Sequence, residues 1–367
     1  MRPRWETLLR SRPRRCSQCP SRHVLLVAIF ALLAPPGALV SIAGCTKSGD
    51  LHPGTTGTGS ETALTCVPPE SGAERDIVCS RWACAHAELS PAGWDGDAKA
   101  CTAGAIEPRA QERALALVNA YRFIAGVHEV GPEPRWQTPA QDCALLAHAN
   151  RQLSHSPPPD WACWSDRAAR ASAVSLVANR SAPLAIDPFI EDPGNERTMV
   201  HRRWLLTEKI RRLGLGSTSG FACALVDGRE WDGEVAPAAP AHDAGISIDG
   251  GDDELLRSRS LAASRGWVAW PPPGPVPIDA FHRTKVDRTG WTVQSSSLDL
   301  DGADVAVHVG GEPRAIRVHP LERTMGSLTA IRFVPQGWST EPDERYDVRV
   351  SKGDIVIDYT VEPVVCP

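Results

Sequence analysis

The chain has 367 residues, with 39 Lys and Arg against 44 Asp and Glu and a formal net charge of −5. Seven arginines and one glutamate precede residue 45, so the remainder carries 32 basic and 43 acidic residues, a net charge of −11. So acidic a surface argues against nucleic acid as a partner, and nothing in the sequence implies a redox or nucleotide cofactor.

In chain order, the seven arginines come first and are followed by an apolar run, Val24 to Leu33, that continues to Ile42. This pattern reads as an export signal. As a transmembrane helix it is short of the roughly 20 residues needed, and Pro35, Pro36 and Gly37 break it. It ends in Ile42-Ala43-Gly44-Cys45, which resembles a lipobox. Small residues suit a signal peptidase, and Cys45 would become an acylated amino terminus; several acyl chains hold a membrane durably where one is marginal. The expectation is a lipoprotein signal peptide over 1–44 and a chain exported to the bacterial cell envelope. Cys45 would be its lipid anchor on the extracytoplasmic side of the outer or cytoplasmic membrane. Ordinary cleavage, giving a soluble secreted protein, is the alternative.

Residues 45–65 are small and polar and are expected as a flexible tether. Residues 66–105 form a cysteine-rich extension, too short for a core of its own, that disulfides should staple to later parts of the chain. Beyond Cys45 there are eight cysteines: Cys66, Cys79, Cys84, Cys101, Cys143, Cys163, Cys223 and Cys366. An even count in an exported chain predicts up to four disulfides, and without a CxxC pair a metal cluster is disfavoured. Of the possible pairings, Cys366 with Cys223 would clamp the C-terminal part onto the rest.

The apolar spacing of Leu115, Leu117, Val118, Tyr121 and Ile124 predicts a helix over 111–125, stopped by Gly126. A second helix is predicted over 139–153 with Pro139 at its start, a third over 168–177, and a fourth over 195–206 after the turn Asp192-Pro193-Gly194. Residues 213–217, 221–226 and 266–270 read as strands. The run PPPGPVP at 271–277 reads as a stiff boundary. Beyond it, six alternating segments from Trp291 to Val361 predict a small antiparallel β-sandwich domain over 277–367.

Three segments carry a resemblance. LVNAYRFIAGV at 117–127, Trp136 with PAQDCALLAHANRQLSHSPP at 139–158, and DPGNERTMVHRRWLLTEKIRRLGLGS at 192–217 are similar, in order and approximate spacing, to the CAP superfamily of cysteine-rich secretory, antigen 5 and pathogenesis-related proteins. The resemblance covers 106–270, and the β segments after it resemble an extension found behind CAP domains in some bacterial proteins. It implies an α+β fold, a three-layer α-β-α sandwich with a cleft over its sheet, followed by the all-β part. It also implies an extracytoplasmic binding module whose partner is a lipid, a glycan or an envelope protein, in a fold for which no general catalytic activity is established. In the family, two histidines and two acidic residues meet across the cleft and can take a divalent metal. The matching positions are His155 and His201, a reasonable start for zinc. The sequence departs from the pattern where an acidic residue is usual, since Arg170 or Ala171 stands there, and a guanidinium would repel a cation. Glu191 or Asp192 is the remaining acidic candidate. A metal-dependent hydrolase using a His155/His201 ion is therefore the second reading; the first treats His155, His201 and Glu191 as residues of a ligand cleft.

Other candidates have plainer readings. His148 suits helix packing, Asn150 backbone bonding, and Arg202 and Arg203 either an anion or structural pairing. Ser154 and Ser156 beside His155 lack an orienting carboxylate and a nucleophile elbow. The acidic run 249–254 lacks the alternating ligands of a calcium loop.

Overall fold

The computed structural model describes residues 66, 68–69, 71–87, 89–232 and 265–367. The signal, Cys45, the tether and the acidic run 249–254 lie outside them. The described chain is α+β, with three mostly antiparallel sheets.

Helices α1 (Glu74–His86) and α2 (Pro108–Ile124) come first. The short strand β1 (Gly131–Pro132) then leads into α3 (Pro134–Asn150). The third helix starts at Pro134 and not at Pro139: Pro134 occupies the first turn, and the Glu133 side chain accepts the Arg135 N–H. Helix α4 (Asp166–Ala173) is capped by Ser165 and stops before β2 (Ser175–Ala178). The helix expected to reach residue 177 thus ends four residues early. An apolar run fits a buried strand as well as a helix, and Leu176, Val177 and Ala178 are all buried against β4.

Helix α5 (Ala182–Glu191) was not expected, and α6 (Val200–Leu205) begins five residues later than predicted. Strands β3 (Arg212–Ser217) and β4 (Ala222–Leu225) complete a sheet of order β1-β3-β4-β2. Helices cover both its faces. Gly214 and Gly216 let α3 approach one face: a Cβ on Gly216 would sit 2.0 Å from the Ala140 carbonyl oxygen. On the other face, Leu176, Leu213, Leu215 and Ala224 join a core that includes Tyr121 of α2 and Phe189 of α5.

Strand β5 (Trp267–Trp270), read in the sequence with the first part of the chain, pairs with β7 (Trp291–Ser295) in a second sheet. The proline run contains β6 (Gly274–Pro277), paired in parallel with β13 (Ile355–Val364), so it is an edge strand and not an open linker. After α7 (Lys285–Thr289) come β8 (Asp304–Val309), β9 (Glu312–Pro313), β10 (Ile316–Pro320), β11 (Thr329–Pro335) and β12 (Tyr346–Lys352). The second sheet has order β10-β11-β7-β5 and the third β6-β13-β12-β8-β9. Trp291 against Tyr346 (5.6 Å between ring centres) and Trp267 against Tyr359 (5.4 Å) join these two sheets.

All eight cysteines pair: Cys66–Cys84, Cys79–Cys366, Cys101–Cys163 and Cys143–Cys223. The expected Cys223–Cys366 bridge is incorrect. Cys223 lies on the α3 face of its sheet, where Cys143 meets it, whereas the chain end returns to α1 and finds Cys79. Two of the four bridges tie the cysteine-rich extension to later parts of the chain.

Candidate functional site

His155 and His201 come together. Two adjoining cavities, of about 460 and 340 Å³, both include His155, Asn195 and His201 in their walls. The larger is mainly apolar, with Val174, Leu176, Val200, Trp204, Val226 and Met325 among its lining residues. Among the described residues, neither cavity is lined by Lys or Arg.

Each histidine is fixed by its Nδ1. His155 Nδ1 lies 2.8 Å from the Ser172 carbonyl oxygen. A carbonyl only accepts, so Nδ1 must carry the proton. His201 Nδ1 lies 3.1 Å from Asp192 Oδ1, and this carboxylate is fully buried. Asp192 also accepts from Asn195 Nδ2 at 2.8 Å and from the Arg202 backbone N–H at 3.2 Å. A carboxylate that already accepts two N–H bonds serves as an acceptor here, so His201 Nδ1 presents a proton to it. With Nδ1 of both rings bound to the wall, neither Nε2 has a hydrogen-bond partner among the described residues.

The local backbone explains this placement. Asp192 ends α5 in a left-handed conformation (φ 56°), which short polar residues tolerate, and so turns its carboxylate toward α6. Arg202 then locks the junction. Its guanidinium donates to the carbonyls of Ile190 (2.6 Å), Glu191 (3.2 Å) and Gly290 (2.6 Å) and to Thr289 Oγ1 (3.1 Å). Arg203 is equally committed, to the carbonyls of Thr198 and Glu322 and to Ser327. Anion binding by this pair is thereby excluded, because both guanidinium groups are buried and bonded.

Other expected residues lie elsewhere. The Glu191 carboxylate points away from the histidine pair, to Lys285 Nζ at 2.8 Å and His282 Nδ1 at 3.6 Å, and lines neither cavity. Arg170 is half exposed and pairs with Asp166 and Glu230, so it does not repel a cation in the cleft. His148 packs between Trp94 and Phe221, with ring centres 5.0 and 5.6 Å away, and burial pushes its pKa down. Asn150 bonds the carbonyls of Leu146 and Ala162. Ser154 Oγ accepts the Ser156 N–H.

Zinc chemistry asks for three protein ligands and an open position. Here Asp192 is turned to His201 Nδ1 and Glu191 to Lys285, which leaves two nitrogens. Among the described residues no group of three His, Cys, Asp or Glu side chains is placed to hold a metal ion. The residues present do not fit a zinc centre.

Sequence reasoning missed Asn195, Thr198, Trp204, Thr324 and Met325 as cavity residues. The first three lie inside the motif segment 192–217, whereas Thr324 and Met325 arrive from between β10 and β11, more than a hundred residues further on. Gly326 makes that approach possible. It has φ +75°, and a Cβ there would lie 2.8 Å from the Arg203 carbonyl oxygen. No family model, no curated protein and no solved structure matches this chain.

Proposed function

We propose that this protein is a CAP-type binding module, exported and held at the cell envelope through Cys45, whose cleft takes an apolar ligand bearing a hydrogen-bond donor. The observation that carries the reading is the pair His155 and His201, which line the same two cavities with Nδ1 committed to the wall and Nε2 without a partner among the described residues. Apolar walls with a few fixed polar groups are what a small-ligand site requires. The order of motifs and the helices on both faces of a four-stranded sheet agree with the CAP resemblance. The Asp192–His201 pair, which resembles the outer support of a metal-bound histidine, is the one feature favouring the hydrolase reading, and the missing third ligand weighs against it.

The test is titration of the protein with a dansyl-tagged alkylamine, an apolar chain with a cationic donor at its end, read by dansyl emission. His155→Ala and His201→Ala are each expected to raise Kd about tenfold, the loss of one hydrogen bond of about 1.4 kcal/mol. His148→Ala, outside the cleft, serves as control. Affinity unchanged in both cleft variants would refute the proposal.

A further inference from the structure

Four arginines are buried among the described residues: Arg122, Arg202, Arg203 and Arg332. The first three commit every guanidinium nitrogen. Arg122 donates to the carbonyls of His128, Leu205, Thr207 and Ile210, and Arg202 and Arg203 are bonded as described above. Arg332 is different. Its Nη1 donates to the Thr289 carbonyl at 2.8 Å, its Nε is enclosed without a partner, and its Nη2 has no hydrogen bond among the described residues. Nor does a carboxylate pair with it. Glu196 acts on it only from a distance and gives an oxygen to the Gly194 N–H at 2.9 Å. A cation this far out of water, 8% exposed, is normally paired.

The sheet fixes where this guanidinium lies. Gly290 (φ +103°) leaves room for its stem, since a Cβ there would be 2.6 Å from Arg332 Cγ. Arg332 of β11 stands directly opposite His319 of β10, and Arg317 lies two residues before His319. Opposed residues of an antiparallel pair share a face of the sheet, and so do residues two apart. The three side chains therefore rise from one face. β10 is the outer strand of its sheet, with Arg317 exposed and His319 half-buried, so the cluster opens on the sheet edge.

Neither Arg317 nor His319 makes a side-chain hydrogen bond or an ion pair among the described residues. Like charges set opposite one another repel. Burial first, then Arg332 and Arg317, hold the His319 pKa below its ordinary value. None of the three residues lines the histidine cleft.

We infer that Arg317, His319 and Arg332 form a second binding site, which takes a phosphoryl oxoanion independently of the ligand proposed for the cleft. Arg332 Nη2 and the Arg317 guanidinium each donate to an oxygen, and the His319 ring N–H donates to a third. The planar fork of arginine matches such oxygens well. Donors from three residues on two strands suit a tetrahedral anion better than a planar carboxylate, which has two oxygens. Free phosphate or a monoester offers three unesterified oxygens, and the phosphodiester of a lipid headgroup offers two.

The test is calorimetric titration of the full chain with inorganic phosphate and with glycerophosphoglycerol, a soluble phosphodiester headgroup, at constant ionic strength. One-to-one binding is expected. Arg317→Ala should raise Kd about tenfold or more, the loss of one charge-assisted bond, and Arg332→Gln should do the same. Circular dichroism checks the fold of both, and the exposed Arg317 keeps the test open if Arg332→Gln unfolds. NMR of the His319 ring gives a second readout: its pKa should rise when phosphate binds, because an anion between the arginines offsets their charge, and should rise less in Arg317→Ala. Tighter binding of phosphate than of the diester assigns the site to free phosphate or a monoester, and the reverse order assigns it to a lipid headgroup. No binding of either probe, or affinities that both variants leave unchanged, would overturn the inference.

Discussion

Replacing Arg202 with methionine should cost the protein about 4 kcal/mol. The side chain is 1% exposed and makes four hydrogen bonds, three to main-chain carbonyls and one to Thr289. Hydrogen bonds from a charged donor contribute about 1.5–3 kcal/mol each, and a buried acceptor left without its partner costs about 1–3 kcal/mol. The four are not additive, because a single substitution relaxes them together. Methionine retains much of the apolar packing, and loss of one member of a buried charged network costs about 3–5 kcal/mol. The carboxylate of Asp192 would also lose its nearby positive charge. Urea unfolding followed by tryptophan fluorescence, with disulfides intact, measures the change as a fall in midpoint, with a melting temperature lower by roughly 10 °C. Arg202→Lys should recover less than half, since a point donor cannot reach four acceptors spread around a planar fork. A loss under about 1 kcal/mol for Arg202→Met, with the denaturant slope unchanged, would show that these bonds do not hold α6 to α5 and α7.

Two other predictions concern the frame of the molecule. Cys143 and Cys223 are 80 residues apart in sequence, so removing their bridge by Cys143→Ala with Cys223→Ala should cost about 4 kcal/mol from loop closure; a melting temperature unchanged beyond 2 °C or so would refute it. Stability should fall in two stages on acidification. Burial holds His282 and His148 below their ordinary value of 6.5, so the unfolded chain takes up protons first, and stability drops as pH falls through 6.5. Burial works against ionised Glu133, yet hydrogen bonds from Arg135 and Arg212 hold it at about 2, and its contribution, complete above 4.5, is lost as pH falls toward that value. Asp187, also held down despite its burial, by His86 above all, adds to the second stage. Urea midpoints that stay constant from pH 7.5 to 5.5 would contradict the first stage.

The parts legible in the sequence were those where one local signal dominated. Helix α2 showed its apolar stripe, and the alternation from Trp291 to Val361 showed the strands of the last two sheets. Helix α5 was hidden because Pro183 and Pro188 read as breakers, although the first sits harmlessly in the opening turn and the second costs one bond within a helix buried on most sides. β6 was hidden by proline as well. Its prolines suggest a linker, but at a sheet edge a missing N–H faces away from the ladder. For the site, the motif spacing pointed to His155 and His201, and both line the same two cavities. It left Glu191 and Asp192 as alternatives, because adjacent residues at a helix end point in divergent directions and only the backbone at Asp192 decides which carboxylate meets His201.

The loop between β10 and β11 has a bearing on how this protein can change. It supplies Thr324 and Met325 to a cleft whose other walls come from residues 153–227, and it is seated by Gly326 against the main chain of Arg203 and Trp204. A shortened chain ending near residue 232 would therefore have a breached cleft and an unpaired Cys79, so the C-terminal sheets are not a detachable appendage. By the same token, substitutions at two positions on that loop can reshape the cavity without altering the sheet that carries the histidines. Selectivity can drift there while the scaffold stays as it is.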